Sequence, residues 1–353
     1  MKFRRLMVAM LATSLLATAC AGEDDPVDDT DTTEETGSED ESMDDESMDD
    51  DEEMDDEAAA GDTPDQLVFG FVPSREADQL VDSADALAAV LEEATGIPTE
   101  AFVSSDYAAL TEAMASGQAQ IGAFGPLGVV RAIETADVEF VLQSSRFGSF
   151  TYHTQYMTND PDTYCLDEVV QDEDGNSYCN GTLEAEEGPA GEDAIALIDE
   201  NTSFAYVDPT STSGYLIPAL QMQNLGIDIS AFDFFAGGHD ASVQAVYDGD
   251  VAVGLSFDDA RSTIAEQFPD VGEKVVVFAY SQEIPNDGFV VSNSLSEELK
   301  QTIAQAMLDY AATEEGATVL DELYEIGGLR EGDDAVLDVI READETFGDS
   351  FAG

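Results

Sequence analysis

An α/β chain with mostly parallel sheets is what the sequence predicts. Short apolar runs alternate with segments of helical apolar spacing from Gln66 onward. About 285 residues lie in that part, too many for one small core and enough for two lobes. Residues 23–57, by contrast, are mostly Asp and Glu with nothing apolar to bury, and stand apart from the fold.

Taken in order, residues 67–72 read as a strand. Residues 77–95 read as a helix, because Leu80, Val81, Ala84, Leu87, Ala88 and Leu91 share one face, and Gly96 ends it. Further strands are expected at 99–103, 121–124, 138–143, 204–207, 251–257 and 275–279. Further helices are expected at 108–116, 194–199, 214–225, 241–248, 296–313 and 335–347. Sheets wound this way hold ligands beyond the carboxyl ends of their strands.

Residues 1–20 read as an export leader. Met1 to Arg5 is basic, residues 6–16 are apolar but too short to span a bilayer comfortably, and Ala17, Thr18 and Ala19 precede Cys20. This small-residue site is similar to a bacterial lipobox. That similarity implies lipidation of Cys20 and anchoring at the outer face of the cytoplasmic membrane; the alternative is an ordinary secretory leader. Residues 21–65 then form an acidic tether, with near-repeats at 41–45 and 46–50. About 45 residues of flexible chain reach roughly 35–40 Å, and further when self-repelling. The tether lacks the central-glycine loop of a calcium site.

The whole chain carries 79 acidic against 11 basic residues, a formal charge of −68. Such a surface excludes electrostatic attraction to nucleic acid or anionic lipid, and suits a protein working at high salt. Any anion must then be captured by local, short-range donors. Of three cysteines, Cys165 and Cys179 remain after Cys20. In an exported compartment they are expected to pair, stapling an insertion at 162–190 and stabilising by about 3 kcal/mol. A zinc site is the competitor, but no pair of His residues lies nearby.

Residues 204–215 are the most informative stretch. An apolar strand meets Asp208-Pro209, then Thr210, Ser211, Thr212 and Ser213 open a helix. One hydroxyl suffices as a cap, whereas four consecutive hydroxyls beside unpaired helix N–H groups suit an oxyanion with several oxygens. A tetrahedral phosphoryl group fits best.

Several blocks now carry a resemblance: 67–74, 105–110, 116–122, 124–126, 208–214, 237–243 and 284–287. In order and spacing, from about Leu67 to Phe347, the chain resembles the phosphate/phosphite/phosphonate-binding proteins of ABC importers. The resemblance implies a type II periplasmic-binding-protein fold, with two α/β lobes, a two-segment hinge and an interlobe cleft. Lobe one would be 66–148 plus 270–353, and lobe two 149–269. It implies a monomer without cofactor or metal, delivering a phosphonate, phosphite or phosphate to a membrane permease.

Carried over by position, Ser211, Thr212 and Ser213 would cradle the phosphoryl oxygens. Tyr107 would contact the ligand, and Tyr152 would form a second aromatic wall, with Tyr156 as its rival. His239 follows two glycines at a helix start, whereas His153 has no such support. Asp287 and Asp259 (or its neighbour Asp258) would face the substituent on phosphorus, accepting from an amine or a P–OH. A phosphoester hydrolase with His239 as base is a lesser alternative, since no nucleophile elbow or phosphate loop is present. A surface adhesion lipoprotein is another, but it leaves the hydroxyl run unexplained.

Overall fold

The computed structural model describes residues 63–351, apart from 76, 186 and 187. The export leader, Cys20 and nearly all of the acidic tether therefore lie outside the described residues.

The first stretch runs β1 (Leu67–Phe71), α1 (Ala77–Thr95), β2 (Thr99–Val103), α2 (Tyr107–Ala115), β3 (Ile121–Phe124), α3 (Pro126–Thr135) and β4 (Val138–Ser145). There follow β5 (Thr151–Tyr152), β6 (Thr154–Thr158), α4 (Pro161–Tyr164), β7 (Val170–Gln171), β8 (Ser177–Tyr178), α5 (Glu192–Ile195) and β9 (Phe204–Ala205). A π-helical turn, Thr212–Leu216, leads into α6 (Ile217–Asn224). Then come α7 (His239–Asp248), β10 (Val253–Phe257), α8 (Val271–Lys274) and β11 (Val276–Tyr280). Last are β12 (Ile284–Pro285), β13 (Gly288–Ser292), α9 (Glu297–Ala311), α10 (Glu314–Tyr324), β14 (Gly328–Glu331) and α11 (Asp338–Phe351).

Two six-stranded sheets result, ordered β14-β4-β13-β3-β1-β2 and β7-β8-β11-β6-β10-β9. Each is the centre of an α/β lobe. Phe69, Phe71 and Phe289 pack in the first core, and Tyr156, Phe278 and Leu255 are buried in the second. The apolar face expected of α1 is buried at Leu80, Ala84, Leu87 and Leu91, and Asp106 caps α2 by accepting from the Ala109 N–H at 2.8 Å.

The sheets are mixed, which corrects the expectation of mostly parallel pairing. β1 runs parallel to β2 and β3, but β13 lies antiparallel to β3 and β4. In the second sheet β6 is antiparallel to both β10 and β11. The reason is connectivity. β6 and β13 each follow a passage from one sheet to the other, so they enter without a right-handed helical crossover, which is what makes neighbouring strands parallel.

These two passages pair with each other, Ile284 opposite Tyr152 and Pro285 opposite Thr151. This β5–β12 ribbon is the two-segment hinge. β11 still belongs to the second sheet, so the chain returns after Tyr280 and not at 269/270. The 162–190 insertion holds a disulfide between Cys165 and Cys179, Cα atoms 5.6 Å apart. It is more than a surface excursion, because β8 pairs with β11 and β7 with β8, extending the second sheet. The C-terminal α11 packs on α3 and α6, and Phe347 meets Tyr215 edge-on at 5.3 Å.

Candidate functional site

A small cavity, with a free volume of about 30 Å³, opens between the two sheets. Val72, Phe124 and Phe257, at or just past the ends of β1, β3 and β10, form part of its wall, as expected for ligand sites of α/β sheets. Four helix starts converge there: Tyr107 on α2, Gly125 before α3, Ser211 before the π-turn, and His239 on α7. Their N–H ends concentrate partial positive charge on one small space.

The hydroxyl run caps helix starts and also lines the cavity. Ser211 Oγ accepts from the Gly214 N–H at 3.1 Å, and Thr212 Oγ1 accepts from the Leu127 N–H at 2.8 Å. Acting as acceptors, both hydroxyls keep their hydrogen for donation into the cavity. Ser213 bonds to the Tyr152 hydroxyl. The N–H groups of Thr212 and Ser213 open the helix and have no acceptor within it. The turn needs Gly214, where a Cβ would sit 2.3 Å from Val207 Cβ.

Of the eight sequence-predicted residues, Ser211, Thr212, Ser213, His239, Tyr107, Tyr152 and Asp287 line this one cavity. Tyr107 is 5% exposed, and its hydroxyl is buried with no hydrogen-bond partner in the protein. Burial foremost pushes its pKa well up, so it stays a donor. His239 Nδ1 meets Ser256 Oγ at 2.8 Å, and the backbone N–H of His239 donates to Ser74 O at 2.9 Å. Burial, reinforced by the charges of Arg146 and Arg75, pulls the imidazole down to about 3, so it is neutral.

Asp259 does not reach the cavity. Its carboxylate accepts from Arg261 Nε and Nη2 at 2.8 and 3.1 Å, within a buried group that also bonds Ser177 O and Val275 O. Asp258 is no substitute, because it holds the His153 N–H at 2.8 Å and Nδ1 at 3.0 Å. Tyr156 is also elsewhere, its hydroxyl on Pro218 O and Gln221 Oε1 in the second core.

Sequence reasoning missed Arg75, Arg146 and Tyr324, which also line the cavity. Arg146 stands at the start of the hinge passage, with its guanidinium 4.9 Å from the Phe257 ring centre and 5.7 Å from that of Tyr152. It donates through Nη2 to Asp287 Oδ2. Burial is the largest influence and works against the Arg146 charge, but Asp287, Tyr152, Glu325 and Asp258 together outweigh it and raise its pKa. Arg75 follows β1 and lies 3.4 Å from Glu325. No local pattern marks an arginine in a turn; the available signal was scarcity, since 11 basic residues serve the whole chain.

A family model for an ABC transporter, phosphonate, periplasmic substrate-binding protein matches residues 69–337. The chain is 28% identical over 266 residues to the phosphate-import protein PhnD of Mycolicibacterium smegmatis, covering 72% of this chain and 65% of that protein's length. It is 24% identical over 271 residues to the phosphonates-binding periplasmic protein of Escherichia coli, covering 75% and 72%. In structure it is similar to a binding protein component of an ABC phosphonate transporter from Pseudomonas aeruginosa, with a TM-score of 0.66 at 22% identity over 79% of this chain and 85% of that one. PhnD1 from Prochlorococcus marinus, solved in complex with methylphosphonate, gives a TM-score of 0.64 at 17% identity over 81% and 99%. With the fold and the family match in agreement, the chain belongs to the phosphonate periplasmic substrate-binding proteins of ABC transporters.

Proposed function

We propose that this protein is the extracytoplasmic substrate-binding component of an ABC importer, capturing a phosphoryl oxyanion (phosphonate, phosphite or phosphate) and handing it to a permease. One observation carries this reading: Ser211, Thr212 and Ser213 open a helix onto a small interlobe cavity that also holds the unpartnered Tyr107 hydroxyl. Three phosphoryl oxygens would take the serine and threonine hydroxyls and the N–H groups of Thr212 and Ser213. Tyr107 and His239 complete the ring of partners, and Tyr152 packs beside them. The protein would act as a monomer, tethered by residues 21–65 to a lipid on Cys20, and its acidic surface suits high salt.

Retention of the intact anion, not hydrolysis, is favoured by the hydrogen bonding. Ser211 Oγ is engaged with Gly214 and His239 Nδ1 with Ser256, so neither forms part of a nucleophile–base pair with the other. The test is calorimetry against phosphate, phosphite, methylphosphonate and 2-aminoethylphosphonate, with recovery of the bound molecule. Binding and intact release of at least one is expected. Binding of none, or turnover of a phosphate ester, would overturn the reading.

A further inference from the structure

Among the described residues, the cavity wall contains two guanidinium groups and one carboxylate. Arg146 and Arg75 have side chains only 6% and 9% exposed, so neither charge is dissipated in solvent. Asp287 is the carboxylate, and Arg146 Nη2 already occupies its Oδ2. Glu325 stands outside the lining and approaches Arg75 at 3.4 Å, without the geometry of a hydrogen bond. Arg146 Nε is buried with no hydrogen-bond partner in the protein, and so is Arg75 Nη2, the nitrogen that faces Glu325 Oε2 without bonding to it. Each guanidinium therefore still has a donor to offer, and His239 beside them is neutral.

We propose that Arg75 and Arg146 set the charge class of the ligand: the cavity takes a phosphoryl oxyanion whose remaining substituent is neutral or anionic, and it discriminates against one bearing an ammonium group. This rests on the function proposed above and sharpens it. An ammonium entering the cavity needs an acceptor carboxylate, and the one in the wall among the described residues is already paired through Oδ2 with Arg146. It would also meet two buried guanidinium groups, each balanced by one carboxylate, so no surplus negative charge draws it in. An added oxygen or a methyl group meets neither obstacle, and an oxygen gains the two unused N–H groups. Asp287 thus acts by orienting Arg146, not by receiving an amine, one of the two roles the sequence suggests for it.

The test compares the binding of phosphate, methylphosphonate and 2-aminoethylphosphonate to the full chain at fixed salt. Wild type is expected to bind methylphosphonate at least tenfold more tightly than 2-aminoethylphosphonate. Arg146→Gln frees the Asp287 carboxylate and should narrow that ratio about tenfold. Asp287→Asn should preserve or widen it. A merely structural role for the ion pair would shift all ligands together and leave the ratio alone. Tight binding of 2-aminoethylphosphonate by wild type, or an unchanged ratio in Arg146→Gln, overturns the assignment. Should Arg146→Gln fail to fold, the wild-type ratio and Asp287→Asn still decide. Binding of none of the three, nor of phosphite, refutes this inference together with the function beneath it, whereas binding with the opposite ratio refutes this inference alone.

Discussion

Replacing Tyr107 by Phe should move stability and affinity in opposite directions. The hydroxyl is buried with no hydrogen-bond partner in the protein. A buried polar group left unsatisfied costs about 1–3 kcal/mol, so Tyr107→Phe should stabilise the ligand-free protein by up to about that amount. For a domain of this size that is a rise in Tm of about 2–4 °C per kcal/mol. With ligand the balance reverses. The hydroxyl, kept protonated by burial, donates to a charged oxygen, and its loss should cost roughly 1.5–3 kcal/mol, about ten- to a hundredfold in Kd. Thermal melts without anion and calorimetry with it separate the two effects. A lowered Tm with unchanged affinity would show that the hydroxyl serves the fold and that Tyr107 does not touch the ligand.

Other perturbations follow from the same geometry. Ser213→Ala should weaken anion binding about ten- to a hundredfold with little loss of stability, whereas Ser211→Ala should also lose about 0.5–2 kcal/mol of helix capping; paired melts and titrations distinguish them. Gly214→Ala should destabilise by a few kcal/mol, because its Cβ would lie 2.3 Å from Val207 Cβ and 2.8 Å from Ser211 Oγ; an unchanged denaturation midpoint would contradict the tight π-turn. His239 is neutral in the fold down to about pH 3 but protonates near its ordinary value of 6.5 when unfolded. Its contribution is therefore complete above pH 6.5 and lost as pH falls toward 3, at up to about 1.4 kcal/mol per unit. His239→Gln should flatten that part of the stability profile, measured by denaturant unfolding from pH 7 to pH 4.

Parts of this molecule were legible because one physical signal dominated them. α1 matches its expected span at both ends, since a single apolar face and a terminal Gly96 define it. β2 and β3 match for a similar reason, being short apolar runs between polar turns. α3 went unread because Leu127, Gly128, Val129 and Val130 are consecutively buried, which hides the helical period. β6 and β13 were missed as well. Both are buried along most of their length, and their direction depends on the chain crossing between sheets, which no local pattern encodes. In the site, the hydroxyl run was visible because it is contiguous. The partner of Asp287 was not, since Arg146 lies 141 residues away and meets it only through the hinge.

Thr212 has a consequence for how the two lobes come together. Gly125 begins α3 without a side chain to cap it, and the oxygen that receives the Leu127 N–H comes from Thr212 on the other lobe. Separating the lobes would strip α3 of that partner, so part of the drive to close is intrinsic to the polypeptide. A helix cap of this kind is worth about 1 kcal/mol, roughly a fivefold bias in an open–closed equilibrium. The empty protein should therefore spend appreciable time shut, and any anion must wait for it to open. An importer that recognises only shut molecules would meet a standing background of unloaded ones, and this single threonine would help to set how large that futile traffic is.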